Sequence, residues 1–417
     1  MSSDSTLPIT SLLETLRVID VSVLSPAGLA QQLADLGADV IKVERPGEGD
    51  PVRQIAWPVI EGVNLEHWHW NRGKRSLALD LGSQGGTEVF LDLVRSADVV
   101  VEGMRPGALE RRGLSLARLW EANPALVVCG MSGYGNSGPY RNVPAHGLAF
   151  DAMAGVAPPG HTPDGFATIA PHTSIGMNAA ALYGALGVVS GVLRARASGE
   201  GCALEIAQSD AAIAMNWLRI EGERAYLRPA GEVTDREGAA LDARRAIGFD
   251  DFDDAVRYQY YESADGHVLL MASDRKFWRN FCEGVGRLDL YEAQPGAEMA
   301  DHARGNTRLR RELREIFATR TTAEWMEFAA RVDTAIAPVH DSRSVLSDPQ
   351  ARDRIAWLPS QTHAADLMRT PLKLVDAQLP EPRRAATVGQ HTDEVLREVL
   401  GYTPEQIQKL RENDVVA

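Results

Sequence analysis

Along the first 135 residues, short apolar runs alternate with longer stretches of mixed polarity. Val18-Ile19-Asp20-Val21, Val40-Ile41-Lys42-Val43-Glu44, Val99-Val100-Val101 and Ala125-Leu126-Val127-Val128 are rich in β-formers. They lack strict period-two alternation, as strands covered on both faces do. Residues 76–81 suggest a further strand. Between these runs, 27–36, 85–96 and 109–122 read as helices, the first stopped by Gly37. Strands joined by helices of this length pair in parallel. The pattern predicts a doubly wound α/β layer over 1–135.

Residues 132–174 are rich in Gly, Pro and His and show little periodicity. Loops of this length usually carry function. The most apolar stretch follows, 175–193. It is long enough to cross a bilayer, but its Gly/Ala-rich turns, with Asn178 and Ser190, read as a buried helix in an acidic chain. A strand at 203–207 leads into another helix. Residues 225–250 are charged and irregular and read as a linker. Beyond them, 258–261 and 267–271 flank Asp265-Gly266, a hairpin signal. Helices expected at 275–287, 307–318 and 322–331 complete a smaller α+β domain. A tail with a helix at 393–412 returns to the first domain.

A length of 417 residues suits two or three domains. With 43 Lys+Arg against 57 Asp+Glu, the net charge of -14 argues against broad binding to nucleic acid or an anionic membrane. It leaves room for a local basic pocket. Cys129, Cys202 and Cys282 form no close pair, so neither a disulfide framework nor a zinc ribbon is expected. This cysteine usage, and a polar 1–10 without signal-peptide order, fit the cytoplasm.

Candidate chemistry concentrates at predicted strand ends. The turn Ser22-Val23-Leu24-Ser25-Pro26-Ala27-Gly28 opens a helix whose N–H groups and dipole suit a phosphate, although it is not GxGxxG. Asn71-Arg72-Gly73-Lys74-Arg75-Ser76 gathers three cations, which suit a phosphate or carboxylate or simply a solvated loop. Arg105-Pro106-Gly107 follows a buried strand, at the edge where α/β sheets bind ligands. In the long loop region, His146, His172, Asp151 and Asp164 are candidates for acid–base or nucleophilic work and equally for structural roles. His67-x-His69 is the only close His pair, and no metal site is expected.

Together these pieces resemble the class III CoA-transferases, the CaiB/BaiF superfamily that also includes α-methylacyl-CoA racemases. The resemblance rests on seven stretches in order: 36–44, 71–76, 102–107 (Glu102-Gly103-Met104-Arg105-Pro106-Gly107), 132–140, Ala337-Pro338-Val339, 347–350 and 389–396. It implies a Rossmann-like large domain built from both chain ends, here 1–225 with 340–417. A small α+β domain, 226–339, is inserted between them, and two subunits interlock. It implies coenzyme A or acyl-CoA as substrate, without a metal. The CoA contacts would be Leu24, Ser25, Glu44, Arg72, Lys74, Arg75, Met104, Arg105, Tyr140 and Arg141. The co-substrate would be a small carboxylic acid.

The chain departs from the family at one position. Transferases of this kind carry a catalytic Asp in a Gly-Asp-x-x-x-Gly pattern before a helix. Aligning Gly176 puts His172 there. In the family mechanism that carboxylate attacks the donor thioester and later carries CoA as an aspartyl thioester. The glycine-rich lid that covers this intermediate has no counterpart here, and Phe249-Asp250-Asp251-Phe252-Asp253-Asp254 takes its place. The stretch from Ala145-His146-Gly147 to Gly155 resembles the one in which racemases carry a catalytic His. Three readings stand side by side. One is a transferase with His172, Asp151 or Asp164 in the nucleophile's role. Another is a racemase, isomerase or lyase using His146 and His172 as acid and base. The last is a catalytically silent CoA-binding subunit, with a homodimer or a heteromer with a paralogue following accordingly.

Overall fold

The computed structural model describes residues 7–55, 57–229, 231–234 and 247–417. The chain divides into two compact units, Met1–Trp217 with Ile355–Ala417, and Leu218–Arg354. Residues 230 and 235–246 of the expected linker 225–250 lie outside the described residues.

The first unit is built on six parallel strands: β1 (Arg17–Asp20), β2 (Asp39–Glu44), β3 (Lys74–Ala78), β4 (Val99–Glu102), β5 (Val127–Ser132) and β6 (Cys202–Ala207). Their spatial order is β6-β5-β4-β1-β2-β3. Strand order reverses between β1 and β4, which opens a crevice at their carboxyl ends. The apolar runs serve both faces. Val18, Val40, Val99, Val101, Val127 and Cys129 pack against α1 (Ala27–Asp35) and a long helix, α6 (Gly176–Ser198). Ile19, Ile41, Leu77, Val100 and Val128 pack against α3 (Gln84–Arg95), α4 (Leu116–Ala122) and the C-terminal Val395, Leu396, Ile407 and Val415. The tail therefore returns to the first sheet.

Three expected helices differ in detail. The one at 109–122 is split, because Gly113 adopts a left-handed φ of 76° after a short 3-10 turn. The tail helix is broken at Gly401, φ 69°, and restarts at Pro404–Glu412 under a Thr403/Gln406 capping box. The third, α6, is buried along one side only. Its small residues let it lie close: a Cβ on Gly184 would stand 2.3 Å from Leu29 Cδ1. On its other side Leu182, Leu186 and Leu193 are 55%, 65% and 65% exposed. By length and composition this helix meets the criterion for a membrane span.

The second unit carries a three-stranded antiparallel sheet with His267–Met271 between Tyr258–Glu262 and Ile336–Val339. The expected hairpin supplies two strands. The third was not expected; it lies at the sheet's edge, where Pro338 is tolerated. Trp278, Phe281, Phe317, Trp325 and Phe328 form its aromatic core.

Candidate active site

The first βα turn differs from the expected anion cradle. The amides of Ala27, Gly28 and Leu29 donate to the carbonyls of Leu24, Ser25 and Pro26 at 3.0–3.1 Å, so the start of α1 is tied to its own turn. The turn is held from below by buried charges. Lys74 Nζ donates to Asp20 Oδ2 and to the Ala27 carbonyl, both at 2.8 Å. Lys42 Nζ donates to the Ser22 carbonyl at 2.6 Å and pairs with Asp50 at 3.0 Å, while Asp50 accepts from Leu24 N at 3.1 Å. Burial alone would raise the Asp20 carboxyl, but Lys42 and Lys74 outweigh it and hold it below the usual range. Burial pushes Lys74 down to about 8 despite Asp20.

Above this network lies a cleft of about 410 Å³ lined by Ser22, Glu44, Arg45, Leu79, Met104 and Arg112. Met104 also borders a second cavity, of about 620 Å³, with Glu102, Ser132, Asn136 and Arg141. The structure thus brings Glu44 and Met104 to one cleft, and Met104 and Arg141 to the next. Arg105, Tyr140 and Arg141 are exposed.

The basic cluster is placed otherwise than a solvated or ligand-facing loop would be. Arg72 is buried against Asp35, Lys74 against Asp20, and Arg75 against Asp39 and Glu394. Glu44 pairs with Arg53 and accepts from Ser76 Oγ at 2.6 Å; burial pushes its carboxyl up, and Lys42 and Arg53 bring it below its usual range. Ser25 Oγ donates to Gln208 Oε1 at 3.1 Å. These carboxylate partners were missed because each lies on a separate element, and no spacing rule links them. His67 and His69 sit on α2 (Leu65–Asn71), a helix the pattern did not predict; burial pushes both imidazoles down to about 4. Among the described residues no group of three His, Cys, Asp or Glu is arranged to hold a metal.

The second constellation stands at the start of α6. No side chain of its own caps this helix. The cap comes instead from Asp151, fully buried on the short α5 (Leu148–Met153). Its Oδ1 accepts from Gly176 N at 2.7 Å, and its Oδ2 from Ile175 N at 3.1 Å and Ser174 Oγ at 2.9 Å; His172 Nε2 stands 3.1 Å from the same Oδ2. A carboxylate at a helix N-terminus is favoured by the dipole and by the free N–H groups there. The His172 side chain keeps 15% of its exposure. Asp151 and His172 are therefore brought together. Asp151 is enclosed by donors, which suits an anchor and not an attacking nucleophile. His146 is exposed just before α5, and Asp164 is exposed between the paired strands Pro159–His161 and Ala167–Ile169.

Residues 13–392 match the family described as CoA-transferase family III. The chain is 28% identical to the succinyl-CoA–L-malate CoA-transferase beta subunit of Chloroflexus aurantiacus, over 99% of both chains. It is 30% identical to the succinyl-CoA:(R)-benzylsuccinate CoA-transferase subunit BbsE of Thauera aromatica, over 94% of this chain and 95% of that one. The crystal structure of the hypothetical protein Rv3272 of Mycobacterium tuberculosis superposes with a TM-score of 0.74 at 27% identity, covering 93% of this chain and 99% of that one. The parallel sheet with its crevice and the whole-chain match agree: the chain belongs to the class III CoA-transferase family.

Proposed function

We propose that the protein transfers CoA between a CoA thioester and a small carboxylic acid, with His172 as the reacting group. The observation that carries this reading is His172 standing before α6 within a chain-long family match, its imidazole anchored to Asp151. In the proposed reaction the His172 lone pair attacks the thioester carbonyl. An N–C bond forms, the C–S bond breaks, and CoA leaves as thiolate. The acceptor carboxylate then takes the acyl group as a mixed anhydride, returning the electron pair to the ring. CoA thiolate attacks the acceptor carbonyl and releases the donor acid.

CoA would lie in the strand-end cleft, against Leu24, Ser25, Glu44 and Met104, with Arg105, Tyr140 and Arg141 at its rim. Arg72, Lys74 and Arg75 would act from behind by fixing the elements that form the cleft. We further propose a large domain of 1–225 with 340–417, a small domain of 226–339, a cytoplasmic location and an interlocked dimer. The exposed leucine row of α6 supports a subunit contact. A heteromer with a paralogue is the alternative, since two relatives carry the word subunit in their names.

The hydrogen-bonded His172–Asp151 pair also favours a second reading, acid–base chemistry at the α-carbon of an acyl-CoA with His146 as the opposing group. Mass spectrometry of the protein with a panel of acyl-CoAs in deuterated water, with and without acceptor acids, separates these. New acyl-CoAs that require an acceptor support the transferase. Deuterium at the α-carbon without an acceptor overturns it in favour of a racemase, isomerase or lyase. CoA binding without either change overturns both and leaves a subunit that needs a partner.

A further inference from the structure

We infer that Asp151 is a positioning residue that fixes the tautomer of His172, so that Nε2 carries the proton and Nδ1 keeps the lone pair that reacts. The inference rests on the reading of His172 as the reacting group. Asp151 Oδ2 stands 3.1 Å from His172 Nε2, and the three other groups around this carboxylate, Ser174 Oγ, Ile175 N and Gly176 N, are donors. An acceptor so surrounded can share only a proton that Nε2 holds. In the neutral ring this leaves Nδ1 as the basic nitrogen. Two of the four contacts come from backbone amides at the start of α6, so the carboxylate cannot turn away without uncapping the helix. Ring, carboxylate and helix end are one rigid unit. When Nδ1 takes a proton or an acyl group, the ring becomes cationic with its Nε2–H already aimed at a fixed anion, which needs no rearrangement.

The same geometry separates two roles that the sequence leaves open for Asp151. A nucleophile needs a free lone pair on an accessible oxygen, and Asp151 is fully buried with both oxygens engaged. It acts through His172.

The test is ring-nitrogen NMR of the full chain labelled with ¹⁵N-histidine, with the His172 signals assigned by their loss in His172→Gln. The expected result is a pyrrole-type Nε2 and a pyridine-type Nδ1 in the resting protein. In Asp151→Asn the amide can keep the Gly176 N bond through its oxygen while its N–H, in the place of Oδ2, faces the ring, so the proton should move to Nδ1. Ser174→Ala removes a neighbouring contact only and should leave the His172 pattern unchanged. Should Asp151→Asn fail to fold, Asp151→Glu and the wild-type spectrum still decide the assignment. A wild-type ring protonated at Nδ1, or an unchanged pattern in folded Asp151→Asn, overturns the inference. These signals come from the resting protein, so absence of CoA transfer would defeat the proposed reaction without touching this result. In whichever exchange is detected, folded Asp151→Asn should lose about 10²-fold or more of kcat with little change in KM.

Discussion

The Arg72 guanidinium closes on the Asp35 carboxylate through two side-by-side hydrogen bonds, Nε to Oδ1 at 2.9 Å and Nη2 to Oδ2 at 2.6 Å, with each side chain about 3% exposed. The pair ties the segment before β3 to the end of α1. A paired buried charge differs sharply from an orphaned one. Arg72→Ala would leave Asp35 buried with only Gln31 as a side-chain donor, and should cost about 3–5 kcal/mol of stability in urea titration. Replacing both partners by leucine should cost clearly less than either single change.

Gly103 closes the crevice between β1 and β4. A Cβ there would stand 2.4 Å from Pro26 Cβ and 2.5 Å from Ser22 Cβ, atoms on a pinned turn. Gly103→Ala should therefore force the two strand ends apart, at about 1–3 kcal/mol of stability. It should also weaken CoA binding, read by calorimetry. Gly138→Ala, with open space around its Cβ position, should meet no such packing clash, leaving only the strain of its positive φ of 79°.

Acid should unfold the protein through its buried histidines. Burial, aided by Arg53 for His67 and by Arg72 for His69, lowers both from 6.5 to about 4. Between those values the unfolded chain holds protons that the native state refuses, so stability is complete above 6.5 and is lost as pH falls toward 4. The Nδ1 of His69 already accepts from Arg72 Nη1 at 3.1 Å, a second reason the ring resists a proton. Urea midpoints measured from pH 7 to pH 4 should fall, and His69→Gln should flatten that slope by about one proton.

On the proposed reading, His172→Ala should abolish turnover while leaving CoA affinity within a few-fold, because His172 does not line the strand-end cleft. Survival of turnover would move the role to His146 or Asp164. His172→Asp restores the family's carboxylate and should give an enzyme-bound species sensitive to hydroxylamine, detected on the intact protein by mass spectrometry. That variant also introduces a carboxylate beside Asp151, and like charges this close resist joint ionisation. Its gain should therefore be larger in an Asp151→Asn background.

By itself the sequence determined the layer and its order of construction. Runs such as Val99-Val100-Val101 suit strands covered on both faces, and the helices between them favour parallel pairing. Glycines at 113 and 401 carried the breaks, but a helical pattern overrode them, since a positive φ is decided by what the chain must turn toward. The motif order announced the family, and it singled out His172 by the residue it lacks. The tertiary structure alone decided what each charge faces. Asn71-Arg72-Gly73-Lys74-Arg75-Ser76 looked like a loop open to an anion, yet Asp35, Asp20, Asp39 and Glu394 reach it from two helices and two strands. Likewise, 21 positions separate Asp151 from His172. Local spacing encodes periodicity, because a helix or strand repeats along the chain. Ion pairs and hydrogen bonds between elements depend on where the chain returns, and only the folded backbone fixes that.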